Sequence, residues 1–571
     1  MTDLQHIARP RHSPTTLPLI PEELRPDRLD GRRFRIALGL ALALAIGIRA
    51  WHVLSQDFPL NDGGLFYAMA RDLQASGYRL PAFTSYNGEG IPFGYSPLGF
   101  YLAALVDDLT PLTLADAFRW LPLLSTCLIV LAFATLARAV LANRTAVVAA
   151  VVAFAVVPRS FIWMLMGGGL TRSLGLLFAL VTLNLLFRLY TRRDWRLAPL
   201  AGLTAGLTLL SHLGTAPFTA FSALLFWIGY GRHRSGTLGY AGAAVIAALV
   251  SAPWWATVMG YHGPGPFLAA SATGGSIFGS IDVGAALSTL AAFGLGTGES
   301  VLGLIGMLAV IGFFFSLTSR DWLLPAWWIT IVVLDARQGS TFATVPISML
   351  AGVAVVHVLL PVMRRAWSLR SGPSTLRRNP GRRGWNPAMV LGLFLLFGAL
   401  TALLRLPSLA GGLPDLAGLS RGERDAMAWV AQKTPPSADI LVVGGTTWEI
   451  DRHSEWLPVL GRRHSVATVQ GWEWLPAGEF VRKKREYNDV QGCAWWSTEC
   501  LENWARATGE EFDYVYVPKR PGQGCCGQLL VSLARDPGYR VRYDGAGATI
   551  YQRTWAGPDW ALVEPSRERT P

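Results

Sequence analysis

Charge is scarce in this chain. Asp, Glu, Lys and Arg make up 15% of its 571 residues, against about a quarter in ordinary soluble domains. With 51% hydrophobic residues and a mean hydropathy of +0.34, that shortage excludes an ordinary soluble protein and points to a polytopic membrane protein. Cysteine is also scarce, at five residues. No CxxC or paired-histidine spacing accompanies them, so Cys127 and the vicinal Cys525-Cys526 do not read as metal ligands. No apolar signal-peptide core lies near the start, and residues 1–33 read as a polar, proline-rich cytoplasmic tail. There is no heptad pattern and no strong internal repeat. The net charge of +12 would suit nucleic acid, but the basic residues sit in short loops between apolar runs, so no nucleic-acid partner is expected.

What is present is a series of long apolar runs. Eleven are of spanning or near-spanning length, at 34–54, 118–141, 145–163, 172–190, 197–213, 216–231, 237–259, 300–318, 322–335, 342–363 and 386–405. If the N-terminus is inside, the inward connections should carry the arginines. They do: Arg32, Arg33 and Arg35; Arg138 and Arg144; Arg192, Arg193 and Arg196; Arg232 and Arg234; Arg320; and the run from Arg364 to Arg383. The alternation requires that Phe93 to Val106, short and broken by Pro97, lies in the interface or re-enters.

The expected fold class is therefore a polytopic α-helical membrane protein of about eleven spans with a C-terminal extracytoplasmic α/β domain. A membrane domain over 34–406 would carry a first outer loop, 55–117. Residues 407–571 would form the soluble outer domain, with a helix from Arg421 to Gln432 and strands at Ile440 to Val443, Tyr514 to Val517 and Ala548 to Tyr551. An oxidising compartment would allow Cys493 and Cys500 to pair, with free thiols the alternative. The localisation that follows is the plasma membrane, multi-pass, with the N-terminus cytoplasmic.

Chemistry is sought among polar residues that membrane energetics disfavour. Arginines at outer span ends run against the positive-inside bias: Arg119, Arg159, Arg172 and Arg337, with Arg49 inside the first span. Arg172 follows Gly167-Gly168-Gly169-Leu170-Thr171 at a helix start, where free N–H groups and the helix dipole favour an anion. A guanidinium adds bidentate phosphate recognition. Arg337 lies just before the tenth run. The alternative for each is snorkelling or pairing with Asp57, Asp335 or a lipid head group.

Asp62 opens the helical pattern Leu65, Phe66, Met69, Ala70, Leu73, which Gly77 ends. It reads either as that helix's N-cap or as a carboxylate placed to take a proton from an acceptor hydroxyl. Glu89, His212 and His262 are further candidate substrate contacts, against solvated-loop and structural-histidine readings. Trp254, Trp255, Trp327 and Trp328 read first as an interfacial belt and second as a sugar-stacking platform.

Asp62 just after the first span, then Tyr67, Ala68, Gly77 and Pro81, then Pro97, Leu98 and Tyr101, resemble the GT-C glycosyltransferase superfamily. The nearest likeness is to its protein O-mannosyltransferase and aminoarabinose transferase branch. Ala117, Arg119 and Pro122 resemble the start of its next span, and Arg337 to Pro346 loosely resembles a later segment. Two departures stand out. Gly63 follows Asp62 where the branch usually has Glu, and 158–171 lacks the acidic pair of the metal-dependent oligosaccharyltransferase relatives.

The resemblance implies an integral-membrane glycosyltransferase, moving a sugar from a polyprenyl-phosphate donor to the hydroxyl of a glycan, lipid or protein acceptor with inversion. Asp62 would be the base. Arg337, Arg172 and Arg159 would hold the phosphate, with no metal and no cofactor. Tyr67 and Tyr95 join the candidate contacts. The competing class is a transporter or flippase, or a non-catalytic scaffold, for lipid-linked glycans. Its inverted repeats and paired broken spans are not found here.

Overall fold

The computed structural model describes residues 29–273, 297–299, 303–334, 339–366, 416–519 and 525–554, with isolated residues between 389 and 397. Five helices are long and apolar enough to cross a bilayer: Gly31–Leu54, Leu114–Val140, Gly169–Arg192, Arg234–His262 and Gly339–Ala366. A sixth candidate is broken. Arg144–Val156 meets Pro158–Leu165 at a bend of 85°, because Pro158 cannot continue the helix. Apolar helices at Ala198–Ser211, Thr215–Phe226, Leu304–Thr318 and Leu323–Leu334 fill four more of the expected runs at less than spanning length. The run at 386–405 lies almost wholly outside the described residues. Eleven spans therefore remains an expectation.

The packing explains the composition. Arg144–Val156 is nearly all Ala and Val and has twelve buried residues, the profile of a helix surrounded by others. Where Ala198–Ser211 crosses Arg234–His262, a Cβ at Gly202 would come within 2.6 Å of Ile246, and one at Gly206 within 2.6 Å of Val250. Only glycine lets the two helices approach that closely. Arg49, fully buried in the first helix, donates to Ala45 O (3.1 Å) and Ala155 O (3.3 Å) and stacks over Phe161. Three of the four tryptophans read as an interfacial belt are core instead. Trp254, Trp327 and Trp328 are buried, and Trp327 Nε1 donates to Ser222 Oγ at 2.7 Å.

After the first span comes Gly64–Ala75, a short helix with its apolar face inward, and then Leu98–Leu109, at twelve residues too short to cross. The C-terminal part holds a mixed sheet of β1 (Asp439–Val442), β2 (His464–Ser465), β3 (Tyr514–Pro518), β4 (Tyr539–Asp544) and β5 (Ala548–Arg553). The order is β2-β1-β3-β5-β4, with β1 parallel to β2 and β3, and β5 antiparallel to β3 and β4. Buried β1 and β3 form its centre, and β4 is an edge whose Arg540 and Arg542 are exposed, which discourages further pairing.

This sheet domain sits directly on the first loop. Asn61 N–H donates to Ala417 O (3.1 Å), and Arg424 grips both oxygens of Asp57 (2.9 and 2.6 Å). Trp456 Nε1 donates to Asn61 O at 3.0 Å. Asn87 exchanges two hydrogen bonds with the Ser465 backbone, at 3.1 and 2.7 Å.

Candidate active site

Two glycine runs meet at Asp62. The first is Gly63-Gly64, after Asp62; the second is Gly167-Gly168-Gly169, which turns the chain from the bent segment into the Gly169–Arg192 helix. A Cβ at Gly167 would lie 2.2 Å from Asp62 O, and one at Gly168 2.7 Å from the Asp62 carboxylate. Gly63 has φ +119°, and a Cβ there would lie 3.0 Å from Gly167 C. Neither strand of this junction has room for a side chain.

That closeness places Asp62 against a helix start. Gly168 N–H donates to Asp62 Oδ1 at 2.7 Å, and Arg172 Nη2 donates to Oδ2 at 3.1 Å. The anion at this N-terminus, expected from the free N–H groups and the dipole, is the protein's own carboxylate. Asp62 does not cap its own helix: Gly63 holds the N-cap position of Gly64–Ala75, with no side-chain bond. Arg172 is one-quarter exposed and also donates to Trp163 O at 3.2 Å. The residues read separately as base and phosphate clamp are thus partners in one ion pair.

The third component comes from the sheet domain. Glu455, on the Arg452–Leu460 helix, accepts from Gly63 N–H at 2.8 Å, and its backbone carbonyl accepts from Tyr86 Oη at 2.8 Å. A Cβ at Gly64 would lie 2.3 Å from that carbonyl oxygen. Nothing in the local pattern of Asp451 to Trp456 marks Glu455, because its partners Gly63 and Tyr86 lie 392 and 369 positions earlier.

Asp62 is 5% exposed and Glu455 7%. Burial raises both carboxyl pKa values; Arg172 and Gly168 pull Asp62 back, while the Asp62 charge pushes Glu455 further, to about 8. A carboxyl whose folded pKa is raised favours folding fully below its ordinary 4.5 and loses that contribution as pH rises to about 8. Docking of the sheet domain should therefore weaken from pH 5 to pH 8. His464 acts in the same direction: burial lowers its pKa, but hydrogen bonds to Asp439 and Glu89 outweigh that and lift it to about 9. The difference between wild type and Glu455→Gln isolates Glu455. Hydrogen-exchange protection at 452–460, taken relative to the intrinsic amide rate at each pH, should fall with pH in wild type, and the slope between pH 5 and pH 8 should flatten in the variant. An unchanged slope in Glu455→Gln would remove Glu455 from this role.

The other expected site residues make different contacts. Arg159, at the bend, donates to Ser340 Oγ at 2.8 Å. Tyr67 packs its ring against Phe118 and Trp456, and Tyr95 bonds Glu473 through its hydroxyl and packs on Trp474. Glu89 is held by His464 at 3.0 Å. His212 Nδ1 lies 2.8 Å from Thr215 Oγ1, and His262 Nε2 lies 2.7 Å from Ala82 O, tying the end of its helix to the first loop. Arg119 is occupied by Gln56 O and Asp116. Arg337 falls outside the described residues. Disulfides join Cys493 to Cys500 and Cys525 to Cys526. Among the described residues no three of His, Cys, Asp and Glu gather as a metal-ligand set.

No protein-family model matches the chain, and no curated protein sequence matches it significantly. Solved structures do resemble it. Arabinofuranosyltransferase AftD from Mycobacteria aligns over 93% of this chain and 40% of its own, with 16% identity and a TM-score of 0.51. A mutant form of AftD gives 0.52 at 17% identity, over 92% of this chain and 42% of its own. ArnT from Cupriavidus metallidurans in the apo state aligns over 90% of this chain and 97% of its own, with 15% identity and a TM-score of 0.50. The protein shares the overall fold of these structures.

Proposed function

We propose that the protein is an integral-membrane glycosyltransferase that moves a sugar from a polyprenyl-phosphate donor to an extracytoplasmic acceptor hydroxyl, with inversion. The carrying observation is the Asp62–Arg172 pair, set at a glycine-bounded helix start and roofed by Glu455. The Arg172 guanidinium favours the ionised form of Asp62 against burial, which is the form a proton acceptor needs. The acceptor oxygen attacks the anomeric carbon and gives its proton to Asp62. The bond from that carbon to the phosphate oxygen breaks, and polyprenyl phosphate leaves. Arg172, with Arg159 and Arg337, stabilises the charge that develops on it. Arginine charge serves here in place of a divalent cation.

In this reading residues 34–406 are the membrane body. Residues 407–571 form an extracytoplasmic domain that covers the first outer loop, and the arginine alternation places the N-terminus in the cytoplasm of a plasma-membrane protein. Asp62 enters the ion pair on its Oδ2 and the Gly168 bond on its Oδ1, so an acceptor hydroxyl approaches the remaining lone pairs. Tyr67 and Tyr95, on the same loop, are candidates to line the acceptor path.

The test is a transfer assay on the full-length protein in vesicles. Radiolabelled hexoses and pentoses on synthetic polyprenyl phosphates serve as donors, scored for release of free polyprenyl phosphate. At least one donor should be turned over in the presence of an acceptor. Transbilayer movement of the intact donor without any cleavage would replace the reading with that of a flippase.

A further inference from the structure

A second feature lies at the other end of the bundle. Asp62 is near Gly169, at the start of the Gly169–Arg192 helix, and Arg193 follows that helix's end, about 36 Å away at 1.5 Å per residue. Here a groove of about 660 Å³ opens between Ala198–Ser211 and Arg234–His262. Arg193 and Arg234 stand at its mouth, with Trp195 beside them, and Leu238, Gly242 and Ile246 line its length.

The charges at the mouth are available. His233 is already used: its Nδ1 accepts from Gly236 N–H at 3.0 Å and its Nε2 lies 3.0 Å from Tyr190 O. Asp194 accepts from Arg196 N–H at 3.2 Å. Among the described residues, neither Arg193 nor Arg234 forms an ion pair. Arg193 also takes a left-handed conformation, φ 58° and ψ 30°, at a position where glycine is the usual choice.

Beyond the mouth the chemistry changes. Gly242 lies on the same helix face as Gly239 and Ile246, and a Cβ on it would meet nothing within 4 Å. From Arg234 to Ile246 the helix rises about 18 Å, and past Ser235 the residues it gives to the groove, Leu238, Gly239, Gly242 and Ile246, are apolar. Two cations followed by a hydrocarbon channel match an amphiphile with an anionic phosphate head. Inorganic phosphate would satisfy the arginines and leave the channel empty.

We propose that this groove binds an anionic glycerophospholipid of the leaflet on the arginine-rich side, its phosphate between Arg193 and Arg234 and one acyl chain along Gly242 and Ile246. Trp195, 62% exposed, lies at the head-group level, where tryptophan concentrates. Nothing in this assignment depends on the transferase reading.

Native mass spectrometry of the full chain, delipidated in detergent, reads the result. Phosphatidylglycerol should be retained about tenfold more strongly than phosphatidylcholine, and about tenfold more weakly by the Arg193→Ala/Arg234→Ala double variant. A Cβ at Gly242 meets nothing within 4 Å, so Gly242→Leu is the variant expected to fold even if the double variant does not, and it should weaken phosphatidylglycerol similarly. Equal retention of the two lipids, or full retention by Gly242→Leu, overturns the proposal. Displacement of phosphatidylglycerol by millimolar inorganic phosphate, with Gly242→Leu unaffected, would make it a soluble-anion site instead.

Discussion

Asp62→Asn should reduce transfer by about a hundredfold or more, the usual scale for losing a positioned acid–base group. Asn retains the carbonyl oxygen that accepts from Gly168 N–H. Its amide, however, turns a donor toward Arg172 where the carboxylate accepted, so the ion pair is lost along with the base. Arg172 is partly exposed, and water can solvate the guanidinium that the substitution leaves behind. The variant should therefore fold, and it should still bind the lipid-phosphate donor. Equilibrium donor binding alongside single-turnover transfer separates the two effects. A folded Asp62→Asn protein with full transfer would end the assignment of the base.

Arg172→Ala should cost as much and leave a different signature. The substitution strips the cation from a pair of buried carboxyls. Arg172 is the largest influence holding the Asp62 pKa down against burial, so its loss keeps Asp62 protonated to higher pH. The ionised base then forms only as pH rises, and the pH–activity limb should move upward. Arg172→Lys should recover part of the activity and most of the original limb, because an ammonium supplies the charge but not the fork that reaches Asp62 and Trp163 together. In the Asp62→Asn/Arg172→Ala double variant the losses should not multiply, since both changes disable one unit. Multiplicative losses, or an Arg172→Ala enzyme with the wild-type pH profile, would separate the two residues.

Much of this architecture is legible along the chain because burial in a helical bundle writes itself as local apolar runs. The short helix after Asp62 and its end near Gly77 follow from periodicity, and buried β1, β3 and β5 follow from apolar runs bounded by turns. Two strands escape that reasoning. β2 is only two residues long, and β4 alternates arginine with apolar residues at an edge, so its outward face reads as loop. The 85° bend follows from Pro158, yet the apolar run continues through it and reads as one span.

The site is less legible, for a physical reason. Its polar groups satisfy one another across long separations: Asp62 and Gly168 are 106 residues apart, Gly63 and Glu455 are 392. Sequence chemistry identifies Asp62 and Arg172 as residues that need a reason, and that each is the other's reason appears only once the chain is folded. Gly63 shows the same limit. As a departure from the resembling branch it looks like a missing carboxylate, whereas in the folded protein its N–H meets the carboxylate of Glu455.

The dovetail of Gly64 beneath the Glu455 carbonyl also sets a timetable. The residues that close over Asp62 are made 392 positions after Gly63, which at about 5–20 residues per second is roughly 20–80 s of synthesis. Through that interval the Gly63 N–H and the Tyr86 hydroxyl lack the Glu455 oxygens that they meet in the folded chain. A ribosome that stops short of Glu455 therefore leaves the junction above Asp62 open.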